Sequence, residues 1–169
     1  MRSVPTDTLQ IEDLTLKPLA AGEVQMKITH SGVCHSDLSA MNGTIPQGAP
    51  AVLGHEGAGV VTAVGDGVTH VAEGDHAIIA FSPPCGTCPY CTGRNQPNLC
   101  MNGLITMTMS QAFRNGDEAI GAMSGCGTFA EETIVPGIAA VKIPNDIPLD
   151  VAALIGCGVT TGVGAALNT

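Results

Sequence analysis

Four cysteines lie within the 16 residues from position 85 to position 100, and their spacing restricts how this stretch can fold. The order is C-x2-C-x2-C-x8-C, interrupted by glycine and proline, and it lets four thiolates surround one zinc ion with no open position for a substrate. Disulfides or a redox C-x-x-C pair are the alternatives, but the total of seven cysteines is odd and the chain is not short. We therefore predict a structural-zinc lobe over about residues 83–101, which needs the metal to fold and is held by Cys85, Cys88, Cys91 and Cys100.

A second constraint is the stretch at residues 54–68, which reads G-H-E-G-A-G-V-V-T-A-V-G-D-G-V. His55 can bind a metal as a neutral imidazole, and Glu56 adds a carboxylate to the same small volume. The glycines and β-branched residues that follow predict a buried strand, which would hold His55 at a strand edge. A hydrogen-bonded core histidine at a turn is the alternative interpretation of His55 taken alone.

The segment C-H-S-D follows a predicted strand over residues 23–30. Either Ser36 or Asp37 is expected to cap a short helix that runs through Met41. A thiolate, an imidazole, a hydroxyl and a carboxylate thus lie on consecutive residues at a strand-to-helix corner. Cys34 by itself is equally consistent with a small buried apolar residue.

Cys157 lies in G-C-G-V-T-T-G at residues 156–162, where small neighbours would let it approach a metal. The run is a poor dinucleotide fingerprint, because its glycine spacing is wrong and no βαβ unit encloses it. Cys34, His55 and Cys157 together supply two thiolates and one imidazole, which leave the fourth position of a zinc ion for water or an alcohol. Zinc there would lower the pKa of a bound hydroxyl, and hydride could leave the adjacent carbon if an acceptor were present.

The remaining segments give weaker signals. Residues 101–126 predict a long loop with some helix, in which Cys126 is a free buried thiol. Further elements are predicted from apolar patterning and turn residues: strands at residues 8–17, 76–81, 127–135 and 139–144, and helices at residues 148–154 and 156–169.

Charge and hydropathy exclude several classes of partner. The chain has a net charge of -9, and its four aromatic residues include no Trp, so nucleic-acid binding is disfavoured. No apolar run reaches the roughly 18 residues of a membrane span, and the N-terminus has no signal-peptide core. We expect a cytoplasmic protein of one domain whose partner is a small molecule or a protein.

These motifs resemble the zinc-dependent medium-chain alcohol dehydrogenases. The G-H-E stretch, C-H-S-D, the four-cysteine lobe and G-C-G-V-T-T-G occur in that family's order and cover nearly the whole chain. The similarity is to the N-terminal, GroES-like catalytic domain, mainly β (α+β) with a partly open barrel and short helices. The branch it resembles most contains class III enzymes and actinobacterial nicotinoprotein alcohol dehydrogenases.

The resemblance implies a role for each matched residue. Cys34, His55 and Cys157 would bind the catalytic zinc, and the lobe would bind a second, structural zinc. Glu56 would lie behind the metal and assist ligand exchange. The other roles implied are these: Asp37 orients His55, Ser36 accepts the proton of the substrate hydroxyl, His35 contacts the cofactor pyrophosphate, and Thr161 contacts the nicotinamide.

The sequence departs from the family pattern in four ways. The segment between Cys91 and Cys100 is one residue longer than usual, so the lobe needs a small bulge. Ser39 stands where liver-type enzymes carry the histidine that ends the proton relay. Glu132 stands where an aromatic residue is common, and the beginning is short by part of a first strand.

The family's NAD-binding Rossmann domain has no counterpart in these residues, so we expect a fragment. Residues 1–155 would form the catalytic domain, and residues 156–169 would begin the linker helix toward a nucleotide-binding domain. The fragment would bind zinc without oxidising alcohol by itself. A zinc-binding module without catalysis is one alternative, and a polyol dehydrogenase is another, although that group commonly has glutamate where this chain has Cys157.

The sequence leaves the substrate open among primary alcohols, aldehydes and thiol adducts. The choice between NAD and NADP depends on a ribose-binding residue of the Rossmann domain. We expect the parent protein to be a homo-oligomer.

Overall fold

Two five-stranded sheets organise the chain in the computed structural model, which describes residues 2–3, 8–48 and 50–168. The strands are β1 Arg2–Ser3, β2 Thr15–Leu16, β3 Glu23–Gly32, β4 Ala51–Val52, β5 Glu56–Val64, β6 His76–Ile79, β7 Phe113–Asn115, β8 Glu118–Ala122, β9 Glu132–Pro136 and β10 Ala140–Lys142. The helices are α1 His35–Met41, α2 Pro89–Thr92, α3 Met101–Met109, α4 Leu149–Ala153 and α5 Gly158–Asn168. Short 3-10 turns occupy Pro97–Leu99, Met123–Gly125, Gly137–Ala139 and Leu154–Gly156.

The first sheet has the order β10-β6-β5-β3-β9 and is antiparallel throughout. Its centre is the pair β3 and β5, whose register runs from Val24 opposite Val64 to Gly32 opposite Glu56. Alternate residues of β3 face the main core, where Val24 and Met26 are fully buried. The pairing therefore brings the start of β5, with Glu56, beside the end of β3.

The second sheet has the order β1-β4-β8-β7-β2, and β4 and β8 are its parallel pair. Its core is formed by Val52, Phe113 and Ile120, which are buried together with Ile134 from the first sheet. This shared packing joins the two sheets. The prediction of a mainly β chain with short helices is confirmed.

Several predicted elements match the structure and others need correction. The strand predicted over residues 23–30 and the helices near residues 148–154 and 156–169 are present, although Thr169 lies outside the described residues. The strand predicted over residues 8–17 is reduced to β2, and residues 127–131 do not belong to β9.

The prediction of a long loop with some helix for residues 101–126 is wrong, because it leaves out two strands. The stretch contains α3, the hairpin of β7 and β8, and a 3-10 turn. Each strand of the hairpin pairs outside the stretch, since Phe113 lies opposite Leu16 and Gly121 opposite Ala51. These long-range partners stabilise strands that the local sequence does not predict.

The cap of α1 also differs from the expectation of Ser36 or Asp37. Cys34 is the N-cap residue, and its sulfur accepts a hydrogen bond from the amide of Ser36. Asp37 is the third helical residue, and its carboxylate accepts from the amide of Cys34 at 2.9 Å. This reciprocal arrangement is a capping box in which a thiol takes the place usually held by Ser or Thr.

Among the described residues, no single helix has the length and apolar character to cross a bilayer. Leu149–Gly156 and Gly158–Asn168 pass that test only as a pair, bent by 53°.

Candidate functional site

The first group of metal-binding side chains is the lobe cluster, defined as Cys85, Cys88, Cys91 and Cys100. Their four sulfurs lie within 4.8 Å of one another. The Cys88 sulfur lies 3.5 Å from that of Cys91 and 3.8 Å from that of Cys100. A tetrahedron with Zn–S bonds of about 2.3 Å separates its sulfurs by about 3.8 Å, so the donor set fits zinc. The longer segment before Cys100 contains the turn Pro97–Leu99, which returns that residue to the cluster.

Backbone amides surround the sulfurs of the lobe cluster. The amide of Cys88 donates to the Cys85 sulfur at 3.3 Å, and the Cys100 sulfur accepts from the amides of Cys85 and Gly103 at 3.2 and 3.3 Å. Hydrogen bonds from Thr87, first from its hydroxyl, lower the pKa of Cys85 to about 5. Desolvation, followed by the Cys88 side chain, raises the pKa of Cys91 to about 11. The protein is thus arranged to stabilise negative sulfur at selected positions before a cation binds.

The second group is the core cluster, defined as Cys34, His55, Glu56 and Cys157. Its potential ligand atoms also lie within 4.8 Å of one another. Cys34 caps α1, and Cys157 lies between a 3-10 turn and α5. Glu56 is the first residue of β5, and His55 immediately precedes it. Both His55 and Glu56 are buried. Two sulfurs, an imidazole and a carboxylate are ligands that suit zinc.

Asp37 lies behind the core cluster and links two of its segments. One carboxylate oxygen is 3.0 Å from Nδ1 of His55 and also accepts the amide of Gly54 at 3.2 Å. The other oxygen accepts the amide of Cys34. Because Asp37 occupies Nδ1, the nitrogen of His55 that is available to a metal is Nε2.

The charges within the core cluster favour one thiolate. The backbone hydrogen bond from Ser36 is the largest influence on Cys34, and the pKa of Cys34 is lowered despite partial burial. Burial lowers the pKa of His55, but Asp37 and Cys34 raise it by more, so the net pKa lies above its ordinary value. Burial, followed by the charge of Cys34, raises the pKa of Cys157 to about 11. A cation at the centre would remove the repulsion between the two sulfurs.

The other predicted site residues differ in their distance from the core cluster. The hydroxyl of Ser36 lies 3.6 Å from the Cys34 sulfur. His35 is exposed on α1, and its Nδ1 lies 3.3 Å from the hydroxyl of the buried Ser39. Thr161 is exposed on α5, and its amide donates to the carbonyl of Cys157 at 2.8 Å. Ser36 is therefore beside the cluster, whereas His35 and Thr161 lie on its exposed flanks.

Two residues support the site although the sequence alone indicates no such role for them. Thr128 is buried, and its amide and that of Phe129 donate to the carbonyls of Gly54 and Leu53 at 3.0 and 2.9 Å. Its hydroxyl lies 2.7 Å from that of Ser31. Thr128 therefore holds the turn before His55 against β3. Phe81 was visible only as the end of a predicted strand, and its ring contacts that of His55 edge-on, with centroids 6.0 Å apart.

Cys126 and the remaining histidines lie outside both clusters. Cys126 is buried and free, as predicted, and burial raises the pKa of its thiol. The Nε2 of His70 lies 3.0 Å from the carbonyl of Gly137. Cys126 therefore packs in the main core, and His70 makes a loop contact.

Comparison with known families finds one profile, described as the alcohol dehydrogenase GroES-like domain, that matches residues 20–145. Among curated relatives, a class-3 alcohol dehydrogenase of Dictyostelium discoideum is 43% identical over 168 residues, covering 95% of this chain and 44% of its own length. An S-(hydroxymethyl)glutathione dehydrogenase of Photobacterium damsela subsp. piscicida is also 43% identical, over 169 residues, covering 95% of this chain and 45% of its own length. The chain thus spans less than half the length of these relatives.

Solved structures give the same match. An alcohol dehydrogenase zinc-binding domain protein from Burkholderia ambifaria has a TM-score of 0.82 and 32% identity, covering 90% of this chain and 43% of its own. Benzyl alcohol dehydrogenase from Acinetobacter calcoaceticus has a TM-score of 0.78 and 32% identity, covering 92% and 43%. The fold is therefore shared along nearly all of the chain.

Proposed function

The chain belongs to the alcohol dehydrogenase family through its GroES-like domain, and we propose that it forms the zinc-binding catalytic portion of a zinc-dependent alcohol dehydrogenase. The reaction is the oxidation of an alcohol to an aldehyde or ketone, with hydride passing to NAD or NADP. The observation that carries this proposal is the core cluster, in which ligand atoms from three separate segments lie within 4.8 Å of one another. Relatives described as alcohol dehydrogenases support it.

In this proposal Cys34, His55 and Cys157 hold the catalytic zinc. When bound, zinc supplies positive charge that favours the anionic form of an alcohol oxygen. Asp37 fixes the His55 ring through Nδ1 and fixes Cys34 through its amide, so one carboxylate orients two ligands. Loss of this carboxylate would leave both His55 and Cys34 less firmly oriented toward the zinc.

Ser36 is the proposed acceptor of the proton from the alcohol. Its hydroxyl is on the first turn of α1, beside the Cys34 sulfur, so it would meet a substrate oxygen held at the same metal. His35 and Thr161 are the proposed contacts for the cofactor, and both are exposed. Phe81 covers one side of His55 and would exclude water from it.

The lobe cluster is proposed to hold a structural zinc through four cysteines, which leaves no position for a substrate. Two zinc ions per chain are therefore expected. The sequence supports three further predictions. Residues 1–155 form a catalytic domain and residues 156–169 a linker helix. The parent protein is cytoplasmic and homo-oligomeric.

The substrate is proposed to be a small alcohol or aldehyde. Relatives described as S-(hydroxymethyl)glutathione dehydrogenase point to a thiol adduct, and the relative described as benzyl alcohol dehydrogenase points to an aromatic alcohol. Both substrates carry a primary hydroxyl group. Residues from the remainder of the protein would decide between them.

The test uses a chimera that joins residues 1–169 to the remaining part of the class-3 relative from Dictyostelium discoideum. Elemental analysis first checks that the chimera holds two zinc ions per chain. We expect alcohol-dependent reduction of NAD or NADP, its loss in Cys34→Ala, and its retention in Cys126→Ala, which removes a thiol outside both clusters. Undiminished activity in Cys34→Ala would refute the proposed catalytic role of the core cluster. The 169-residue chain alone is expected to bind zinc without turnover.

A further inference from the structure

The side chain of Glu56 is buried, with a hydrogen-bond partner for one carboxylate oxygen and a closely fitted space for the other. Its Oε1 accepts a hydrogen bond from the amide of Gly158 at 3.2 Å, although 102 positions separate the two residues. Its Oε2 lies over Gly32, where an added Cβ would be only 2.1 Å away. The carboxylate thus connects the start of β5 to the start of α5 and fills the space above Gly32.

The amide that Glu56 accepts belongs to the first residue of α5. The first four amides of a helix have no partner within the helix, and a carboxylate there satisfies one of them and interacts favourably with the helix dipole. The 11 residues of α5 include none that is buried. Packing therefore contributes little to holding the start of this helix, and the contact with Glu56 ties it to β5.

Cys157 immediately precedes Gly158, whose amide binds Glu56. It lies between the 3-10 turn Leu154–Gly156 and α5, with φ -134° and ψ -72°, so neither helix fixes its conformation. The position of its sulfur therefore depends on the contacts of the residues on either side. Gly158 on the following side is bound by Glu56, and the carbonyl of Cys157 accepts the amide of Thr161.

We propose that Glu56 is a positioning residue, which holds Cys157 in the core cluster by binding the Gly158 amide, and that Gly32 is required to leave room for its carboxylate. The inference rests on the proposed zinc site but assigns Glu56 a task other than ligation. The Gly158 amide holds one oxygen of the carboxylate, and the absence of a side chain at Gly32 leaves room for the other. Three ligands then remain for zinc, and its fourth position stays open.

The test compares Glu56→Gln with Glu56→Ala in the full chain. Glutamine keeps a carbonyl oxygen for the Gly158 amide and removes the charge, whereas alanine removes both. The first measurement is hydrogen exchange of the Gly158 amide. We expect wild type and Glu56→Gln to be similarly protected, and Glu56→Ala to exchange about tenfold faster or more.

The second measurement is 113Cd NMR of the cadmium-loaded chain, because the chemical shift depends on the number of coordinating thiolates. The lobe cluster and the core cluster offer different numbers of sulfurs and should give separate signals. We expect Glu56→Ala to shift or broaden only the core signal, through displacement of Cys157, and Glu56→Gln to restore it. If both variants change the core signal while Gly158 stays protected, Glu56 acts as a ligand and the proposal is wrong. Unchanged protection and signal in Glu56→Ala would overturn it equally.

Gly32→Ala tests the same contact without changing Glu56, in case Glu56→Ala fails to fold. The added Cβ should displace the carboxylate and reproduce the faster exchange at Gly158. Gly162→Ala is the matched control, because no atom lies within 4 Å of a Cβ added there. Equal protection of Gly158 in both glycine variants would contradict the proposal.

Failure of this proposal can be told apart from failure of the proposed function. Cys34→Ala removes a proposed ligand but leaves Glu56 and Gly158 in place. If the core cadmium signal persists in Cys34→Ala, the zinc site is wrong, whatever the Glu56 variants do. If Cys34→Ala loses that signal but the Glu56 variants do not change Gly158, only the positioning role is wrong.

Discussion

The lobe cluster and the core cluster use similar ligands but are built in opposite ways. The lobe takes its four cysteines from 16 consecutive residues, three of them only partly buried. The core cluster takes its ligands from positions 34 to 157 and includes the buried pair His55 and Glu56. A local cluster needs only a short loop and an ion, whereas a distributed one needs the sheets to be formed first.

The supporting groups differ accordingly. Sulfurs of the lobe cluster are contacted by amides and side chains of the lobe and its neighbouring helix, such as Thr87 and Gly103. The core cluster is supported from a distance, because Asp37 reaches His55 and Glu56 reaches Gly158. We therefore expect metal to create order in the lobe and to fill a prepared site in the core. The four predictions below test this contrast.

The largest effect is expected from Cys88→Ser. Structural zinc contributes an apparent binding free energy of about 10–16 kcal/mol to small zinc domains, and the lobe has little apolar core to replace it. We expect the variant to lose one zinc ion per chain and the amide protection of the segment from Cys85 to Cys100. Elemental analysis and hydrogen exchange measure the two effects.

Cys126→Ala is the control for removing a thiol, and it should retain both ions. Loss of the core-cluster ion as well in Cys88→Ser would contradict the proposed difference between the two clusters. That result would mean that the two clusters fold as one unit.

The second-largest effect is a loss of stability, expected from Gly54→Ala. Gly54 has φ +92°, and an added Cβ would lie 2.5 Å from the Thr128 hydroxyl and 2.6 Å from the Phe129 amide. Backbone strain and overpacking together should lower the free energy of unfolding by about 2–5 kcal/mol. The turn before His55 should also shift, so zinc binding at the core cluster should weaken.

Gly67→Ala is the matched control, since Gly67 has φ +85° but no atom within 4 Å of an added Cβ. This variant should lower the free energy of unfolding by about 1 kcal/mol, through backbone strain alone. Urea unfolding of both variants gives the difference. An equal loss of free energy of unfolding in the two variants would show that the contact with Thr128 is unimportant.

The third effect is expected from Asp37→Asn, which keeps the shape of the side chain and removes its charge. Supporting groups of this kind typically change metal affinity by about 10- to 100-fold. We expect such a loss at the core cluster and none at the lobe cluster. Competition with a chelator, measured separately for the two ions, tests this.

Asp66→Asn is the control, because Asp66 is an exposed carboxylate away from both clusters. A similar loss of affinity in this variant would indicate a general effect of net charge. A loss at the lobe in Asp37→Asn would contradict the independence of the two clusters.

The smallest effect is expected from mild acid. Zinc must displace any proton held by its ligands, so each displaced proton lowers affinity by about tenfold per pH unit of acidification. Cys91 and Cys157, each with a pKa raised to about 11, must both lose a proton on binding. His55, whose pKa is also raised, adds to the core cluster a proton-binding imidazole of a kind that the all-thiol lobe cluster does not contain.

Between pH 7 and pH 6 we therefore expect protonation of His55 to lower the zinc affinity of the core cluster by up to about tenfold beyond the loss that its thiols cause. Chelator competition across this range measures how the zinc affinity of the core cluster changes with pH. A fall of about tenfold or less, which Cys157 alone would produce, would show that His55 binds no proton in competition with zinc.

The two regions also differ in how well the sequence predicted them. The spacing of Cys85, Cys88, Cys91 and Cys100 predicted the lobe cluster, because all four lie on one short loop. The order β3, α1 and β5 was also readable, since residues 23–30 alternate and residues 54–68 are rich in β-branched side chains. The grouping of Cys34, His55 and Cys157 was inferred from their ligand chemistry and strengthened by family resemblance, not from local spacing.

The errors fall where distant partners decide the local structure. The hairpin of β7 and β8 was missed because its strands pair with β2 and β4, which are only two residues long. Cys34 was not recognised as an N-cap because a thiol seldom takes that role, and its geometry here depends on Asp37. No sequence pattern predicts the contact of Thr128 with the turn before His55.

The sequence by itself determined the inventory of ligands, the local lobe, and the strand and helix that carry Cys34 and His55, because spacing and periodicity are properties of neighbouring residues. Only the tertiary structure decided which backbone groups hold those ligands in place. It joined Glu56 to the amide of Gly158 across 102 positions, and it placed the turn before His55 against Thr128. Such contacts arise because β3 and β5 pair and bring remote segments to one corner, and side-chain chemistry alone does not specify that pairing.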